Sequence, residues 1–233
     1  MSNARIKLIL LPGLDGTGRF FARVQRLLES RVPLQVVRYP ADHFMGYDDL
    51  LPYVRSLIGT KPVVLLGESF SGPLAIKLAA SLPDQVKGLI LAATFVTAPW
   101  PRWMMLAAAR GNPSLIPRSW IDAVLRGRAN DPELAADIAD VMASFVPEVR
   151  AGRLRAVAGA DARDDLRRVS CPILALHGRS DWLVPKSSVM REVRSKPGAV
   201  IKLIDGPHML LQCNPADAAR EIEAFMNSVI GTP

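Results

Sequence analysis

The feature that most limits what this chain can fold into is an alternation. Short apolar runs at residues 6–11, 34–38, 62–67, 86–93, 173–178 and 200–204 take turns with stretches whose apolar residues recur every three or four positions. Runs of that length read as strands and the stretches between them as helices, the pattern of βα units. Strands joined through helices lie parallel in one sheet, with both faces covered. The run Val63-Val64-Leu65-Leu66 holds no polar residue, as a strand packed from both sides requires. Helices are expected at about residues 20–28, 48–58, 70–82, 186–194 and 215–229.

Between residues 97 and 168 the alternation stops and the pattern is helical only. One candidate helix covers residues 101–110, and a second starts behind Pro117 and stops at Gly127. A third opens with Asp131 as its cap, Pro132 at the first helical position and Glu133 on the positive end of the helix dipole. Its Leu134, Ile138, Val141, Met142 and Phe145 fall on one stripe. At 233 residues the chain is one domain with room for such an excursion. The expected architecture is α/β: a doubly wound, all-parallel sheet of about six strands, with a core at residues 1–96 and 169–233 and a helical insertion at 97–168.

Composition narrows the function classes. With 49% hydrophobic and 22% charged residues, the chain has the make-up of a soluble globular protein. Its two cysteines, Cys171 and Cys213, make neither a disulfide framework nor a metal cluster, and suit small buried side chains in a reducing compartment. The longest strongly apolar stretch, around residues 88–96, falls far short of the ~20 residues of a spanning helix. The start of the chain lacks the cleavage site of a signal peptide, so a cytoplasmic location is expected. The net charge of +7 suits an anionic partner, but the basic residues are dispersed, and no nucleic acid is expected.

The chemistry is concentrated at Gly67-Glu68-Ser69-Phe70-Ser71-Gly72, where the third strand turns into a helix. A serine on such a turn stands above the sheet edge, its hydroxyl exposed and the helix's first N–H groups aimed at the atom it attacks. Small residues are wanted two before and two after it. Gly67 supplies the first, whereas Ser71 stands in for the second glycine and Gly72 follows at once. With Ser71 as nucleophile, Pro73 would occupy the second small position, so Ser69 is the better candidate.

A serine hydroxyl is a weak nucleophile at neutral pH and needs an imidazole to take its proton and a carboxylate to orient that imidazole. Of the three histidines, His208 in Gly206-Pro207-His208-Met209-Leu210 follows the last strand, at the carboxyl edge of the sheet beside the Ser69 turn. His177 ends a strand and reads as structural, and His43 reads as a surface residue. Asp181 follows the fifth strand and precedes His208, which suits the orienting acid, while Asp205 is expected to point away. The loop Leu11-Pro12-Gly13-Leu14-Asp15-Gly16-Thr17-Gly18 is placed to present Leu14 N–H, and Phe70 N–H supplies a second donor for an oxyanion hole. That loop has neither the G-x-G-x-x-G spacing nor the lysine of a phosphate cradle. Serine, imidazole and backbone amides meet every chemical need, so no metal or organic cofactor is expected.

In this order and these local contexts, Ser69, Asp181 and His208 resemble the triad of the α/β-hydrolase superfamily. The Leu-Pro-Gly-Leu-Asp-Gly-Thr-Gly loop is similar to the oxyanion loop of its small carboxylesterase-like members. Four motifs in order carry the resemblance over nearly the whole chain outside the insertion. It implies the superfamily's fold, a nucleophile elbow at Ser69, an oxyanion hole at Leu14 and Phe70, and a lid formed by residues 97–168. The chain departs from the pattern at Ser71, and it begins directly at the oxyanion-loop strand, without the superfamily's usual N-terminal hairpin. Six strands, all parallel, are therefore expected. The implied activity is cleavage of a small or medium acyl ester or thioester through an acyl-enzyme on Ser69. Acyl transfer to another acceptor, cofactor-free peroxidation and ligand binding without catalysis draw on the same residues and stay open at this level.

The insertion is divided by charge. Residues 98–128 hold Arg102, Arg110, Arg118, Arg126 and Arg128 against Asp122 alone, and residues 129–149 hold Asp131, Glu133, Asp137, Asp140 and Glu148 with no base. The two halves are expected to be solvated and to neutralise each other in part. The sharper reading is a basic face for an anionic or carrier-bound acyl group. Trp100, Trp103, Met104, Met105 and Leu106 are expected to pack as core, with one or two of them, Trp103 included, facing the substrate. Trp182 beside Asp181 and Met209 beside His208 are expected as pocket walls, and Glu68 is expected to hold the turn by polar contacts.

Overall fold

The computed structural model describes residues 6–111, 125–126 and 131–231. In chain order the elements are β1 (Lys7–Leu11), α1 (Ala22–Leu28), β2 (Leu34–Val36), α2 (Tyr47–Ile58), β3 (Val63–Glu68), α3 (Gly72–Ser81) and β4 (Val86–Ala92). The insertion contributes α4 (Arg102–Arg110), α5 (Pro132–Ser144), α6 (Pro147–Ala158) and α7 (Arg163–Arg168). The chain then completes β5 (Ile173–Gly178), α8 (Ser187–Val193), β6 (Val200–Ile204), α9 (Leu210–Cys213) and α10 (Pro215–Ile230). The second candidate helix of the insertion, behind Pro117, lies outside the described residues apart from 125–126.

Six strands form one sheet in the order β2-β1-β3-β4-β5-β6, every pair parallel. This is the doubly wound parallel sheet that the sequence pattern implies. Strand side chains alternate between faces. Leu8 and Leu10 pack with Val24 and Leu28 of α1 and Ile222 and Met226 of α10, whereas Ile9 and Leu11 pack with Leu50 and Val54 of α2 and Leu74 of α3. β3 is buried along its whole length, which explains its unbroken apolar run. Register sets the active edge: Gly67 sits level with Leu11 and Leu91, and Glu68 with Ala92, so the loops leaving β1, β3 and β4 emerge together.

The insertion closes at its base. Thr97 and Asp161 form an antiparallel bridge, flanked by Ala98 N–H to Ala160 O and Ala162 N–H to Val96 O, both at 2.9 Å. Beyond that bridge α7 lies against α3, where Lys77 Nζ is 3.3 Å from Asp165. Among the described residues the acids of the insertion reach the core, while Arg126 stays beside Asp131, donating to its carbonyl at 3.2 Å. Asp131 and Glu133 pair with Arg23, and Asp137 and Asp140 lie within 3.6 Å of Arg19. The reason is position: α5 runs across the segment between β1 and α1. No helix among the described residues is long and apolar enough to cross a membrane.

Asp131 caps α5 by accepting Leu134 N–H at 2.9 Å, and its bidentate contact with Arg23 holds its carboxyl well below the ordinary range. Asp131→Ala is expected to destabilise the protein by about 1–2 kcal/mol in urea unfolding, whereas Asp131→Asn, which can still cap, is expected to cost less. Equal losses in the two variants would show that the cap contributes little.

Candidate active site

Ser69 has φ +49°, in the left-handed region, at the corner between β3 and a short 3-10 segment, Ser69–Ser71, that leads into α3. Such strain costs of order 1–3 kcal/mol and persists only where the surroundings impose it. Here two backbones touch. A Cβ on Gly67 would lie 2.6 Å from Ser71 O and 2.8 Å from the Ala75 Cβ, and one on Gly72 would overlap Thr94. The second position that tolerates no side chain is therefore 72 and not 71, which is how the turn accommodates Ser71. The Ser71 hydroxyl is fully buried and engaged with Tyr39 and the Pro12 carbonyl.

Ser69 Oγ lies 3.0 Å from His208 Nε2, and His208 Nδ1 lies 2.9 Å from Asp181 Oδ2. The three side chains come from the loops after β3, β6 and β5. The other oxygen of Asp181 accepts Leu183 N–H at 3.0 Å and Val184 N–H at 2.9 Å. Burial alone would raise the Asp181 carboxyl, but the His208 hydrogen bond and charge, with the Val184 amide, more than offset it and hold it below its ordinary value. An ionised carboxylate only accepts, so the His208 proton belongs on Nδ1 and the Nε2 lone pair faces the serine hydroxyl.

His177 is fully buried and donates from Nε2 to Val184 O at 2.9 Å, bracing the loop that carries Asp181. Burial pulls its imidazole below the ordinary histidine value, which keeps it neutral 3.5 Å from Asp181. His43 sits on the surface against Asp42, and exposed Asp205 pairs with Arg179 at 2.7 Å; neither joins the cluster.

Of the two amides expected to face an oxyanion, that of Phe70 belongs to a peptide whose carbonyl, Ser69 O, accepts Thr94 Oγ1. The Phe70 carbonyl accepts Tyr47 Oη at 2.9 Å, and the two rings stack at 4.9 Å. Leu14 lines the same cleft as Ser69 and His208. The cleft encloses about 150 Å³. The core contributes Leu14, Phe20, Leu183 and Met209 to its walls, and the insertion contributes Leu125, Ile138, Val141, Met142 and Phe145.

Two of the expected pocket walls are elsewhere. Trp182 is 78% exposed and Trp103 is 70% exposed, and neither borders the cleft. The Asp181 carboxylate ties down the amides of Leu183 and Val184, so Leu183 takes the inward position and Trp182 is turned outward. On α4 the side facing α6 carries Met105 and buried Ala109, which leaves Trp103 and Met104 on the outer side. Trp100 is 38% exposed, with Nε1 donating to Leu183 O at 2.7 Å. Met209 does line the cleft, packed against Leu134 and Ile138.

Sequence reasoning misses Tyr39, Thr94, Arg153 and Gln212. None belongs to a motif, and Arg153 lies in a helix that carries two further arginines, Arg150 and Arg155. Gln212 Nε2 donates to Glu68 Oε1 at 2.8 Å, the polar contact expected to steady the turn. Glu68 is buried in the cleft wall; burial pushes its carboxyl up to about 7, the Gln212 bond opposing and the Asp15 carboxylate adding to the rise. Among the described residues no group of three or more His, Cys, Asp and Glu side chains could hold a metal ion. What the arrangement can do is move a proton from a serine hydroxyl to an imidazole beside a small apolar cleft.

A family model described as serine aminopeptidase, S33, matches residues 37–212. The chain is 26% identical over 234 residues to "Thioesterase TesA" of Mycobacterium marinum, covering 93% of this chain and 89% of that protein. It is 27% identical over 243 residues to the "Pimeloyl-[acyl-carrier protein] methyl ester esterase" of Aeromonas hydrophila, covering 94% of each. The structure of a thermophilic esterase from Thermogutta terrifontis superposes with a TM-score of 0.78 at 23% identity, over 96% of this chain and 90% of that one, a likeness of fold.

Glu68 holds its proton more tightly folded, at about 7, than at its ordinary 4.5, so its contribution to stability is complete below 4.5 and is lost as pH rises through 7. The difference corresponds to about 3 kcal/mol. Glu68→Gln keeps the shape and stays neutral, so the variant is expected to gain on wild type in urea unfolding between pH 4.5 and 8 by an amount of that order. Parallel pH profiles for the two proteins would refute the assignment.

Proposed function

Because this chain belongs to the serine aminopeptidase S33 family of α/β-hydrolases, we propose that it is a serine hydrolase acting on a small or medium acyl ester or thioester. The observation that carries the reading is the unbroken hydrogen-bonded chain from Ser69 through His208 to Asp181. As Ser69 Oγ bonds to the acyl carbon, its proton passes to His208 Nε2, and Asp181 stabilises the imidazolium. The amides of Leu14 and Phe70 receive the charge on the carbonyl oxygen. Collapse breaks the bond to the leaving alcohol or thiol, which takes the proton from His208. Water then repeats the sequence on the acyl-enzyme, and the carboxylic acid leaves.

The small, mainly apolar cleft supports an acyl group of modest length, and the names of the two relatives speak for ester and thioester bonds. The insertion serves as the lid, since five of its side chains roof the cleft. A carrier-bound acyl group is the more specific reading of the partner. It is supported by an open groove along α4 and α6 whose charged lining is Arg110, Arg150 and Arg155 against one acid, Glu148, a net basic face for an anionic carrier. Of the other arginines counted toward a basic lid face, Arg118 and Arg128 lie outside the described residues.

Ser69→Ala is expected to abolish both p-nitrophenyl ester hydrolysis and fluorophosphonate labelling, and Asp181→Asn to lower kcat by about 10⁴ through the wrong His208 tautomer. Activity retained in Ser69→Ala would falsify the assignment. For the carrier, KM on an acyl-carrier thioester is expected to rise with ionic strength while KM on a small uncharged ester stays constant. Salt independence of both would leave only the small-molecule reading.

A further inference from the structure

Three consecutive peptides of the β1 loop are held one by one. The Pro12 carbonyl accepts the Ser71 hydroxyl, the Gly13 carbonyl accepts Gly16 N–H at 3.1 Å, and the Leu14 carbonyl accepts Arg153 Nη1 at 2.8 Å. The middle peptide is the one that carries Leu14 N–H. Ser71 has one proton and spends it on the Pro12 carbonyl, so Tyr39, 2.6 Å away, is the donor in its contact with Ser71 Oγ. Burial keeps the Tyr39 phenol protonated for that purpose. Arg153 comes from α6, in the insertion, and its second nitrogen reaches Pro40 O at 2.9 Å.

The Arg153 arrangement is costly. Arg153 is 1% exposed, and among the described residues no carboxylate forms an ion pair with it; the Asp15 charge offsets its burial only in part, and the guanidinium lies against the rings of Tyr39 and Phe145 at 5.7 Å. Its Nε is buried without a hydrogen bond. A buried cation held by carbonyls and ring faces is a poor device for stability. What it does achieve is orientation, because a planar fork fixes two carbonyls at once. Access depends on Gly16, at φ +73°, where a Cβ would meet the guanidinium.

Resting on the acyl-enzyme reading above, we infer that Ser71 and Arg153 are positioning residues for the Leu14 oxyanion donor, Ser71 anchoring the peptide before it and Arg153 the peptide after it, with Tyr39 orienting Ser71. The serine that replaces the usual elbow glycine is then a working part of the site. The insertion, besides roofing the cleft, completes the oxyanion hole through Arg153. The Phe70 donor needs no such support from the insertion, since Thr94 of the core holds its peptide and Tyr47 the one after it.

The test compares Ser71→Ala, Arg153→Met and Tyr39→Phe with wild type on a p-nitrophenyl ester and the matching thionoester, whose sulfur accepts hydrogen bonds poorly. A mis-set donor is expected to lower kcat on the ester about 10- to 100-fold in Ser71→Ala and Arg153→Met, and less in Tyr39→Phe. KM is expected to stay within about threefold, and the ester-to-thionoester rate ratio to shrink in parallel with kcat. Ester kcat within about twofold of wild type in folded Ser71→Ala overturns the inference. So does a loss shared equally by ester and thionoester, which is what general loosening produces. Where Arg153→Met fails to fold, Ser71→Ala and Tyr39→Phe, each lacking one oxygen, carry the same test. A wild-type protein that resists fluorophosphonate and hydrolyses neither substrate overturns the acyl-enzyme reading itself, and this inference with it.

Discussion

The left-handed corner at Ser69 is the constraint on which the rest of the site depends. It is imposed by close packing: β3 and α3 approach so tightly at Gly67, Gly72 and Thr94 that the chain has no room for a wider turn. The strain, of order 1–3 kcal/mol, is small beside what the fully buried β3 and the packed face of α3 contribute. Every other part is set relative to that corner. The Ser69 hydroxyl is lifted toward His208, the Ser69 carbonyl is left for Thr94, and Ser71 is turned inward toward the loop after β1.

The buried ionisable groups around the corner are treated unequally. Asp181 is supplied with two amides and an imidazole and keeps its charge easily. Glu68, in the cleft wall, has one amide donor from Gln212 and is pushed toward its neutral form. Arg153 is bonded to carbonyls and lies against ring faces, and the Asp15 charge offsets its burial only in part. The contrast suits the proposed mechanism, in which an orienting acid must stay ionised to fix the histidine tautomer, whereas a group that holds backbone in place needs only donors in a fixed geometry.

Beyond the bridge at its base and the packing of α7 on α3, the insertion is tied to the core by its charges. Its acids reach Arg19 and Arg23, and its Arg153 reaches Leu14 and Pro40, so both signs of charge converge on the segment between β1 and α2. Its apolar stripe, Leu134, Ile138, Val141, Met142 and Phe145, faces the same way, with Leu134 packed on Met209 and the other four lining the cleft. The helical excursion thus lends its apolar face to the cleft beside Ser69.

What the sequence by itself determined is whatever has a local cause. Strand and helix alternate because burial period is written into every few residues, and the parallel six-stranded sheet follows from it. Ser69, Asp181 and His208 could be named because each stands just past a strand, at the edge where such loops converge. The Asp131 cap was legible for the same reason, since its partner is three residues away. Tertiary structure alone decided the rest. Trp182 sits beside the acid in sequence yet faces solvent, because two amides bound to Asp181 rotate the chain past it. Tyr39, Thr94, Arg153 and Gln212 reach the site across 32, 25, 139 and 144 residues of chain respectively. No local pattern records a contact of that separation, because what brings the partners together is the packing of the sheet and the insertion.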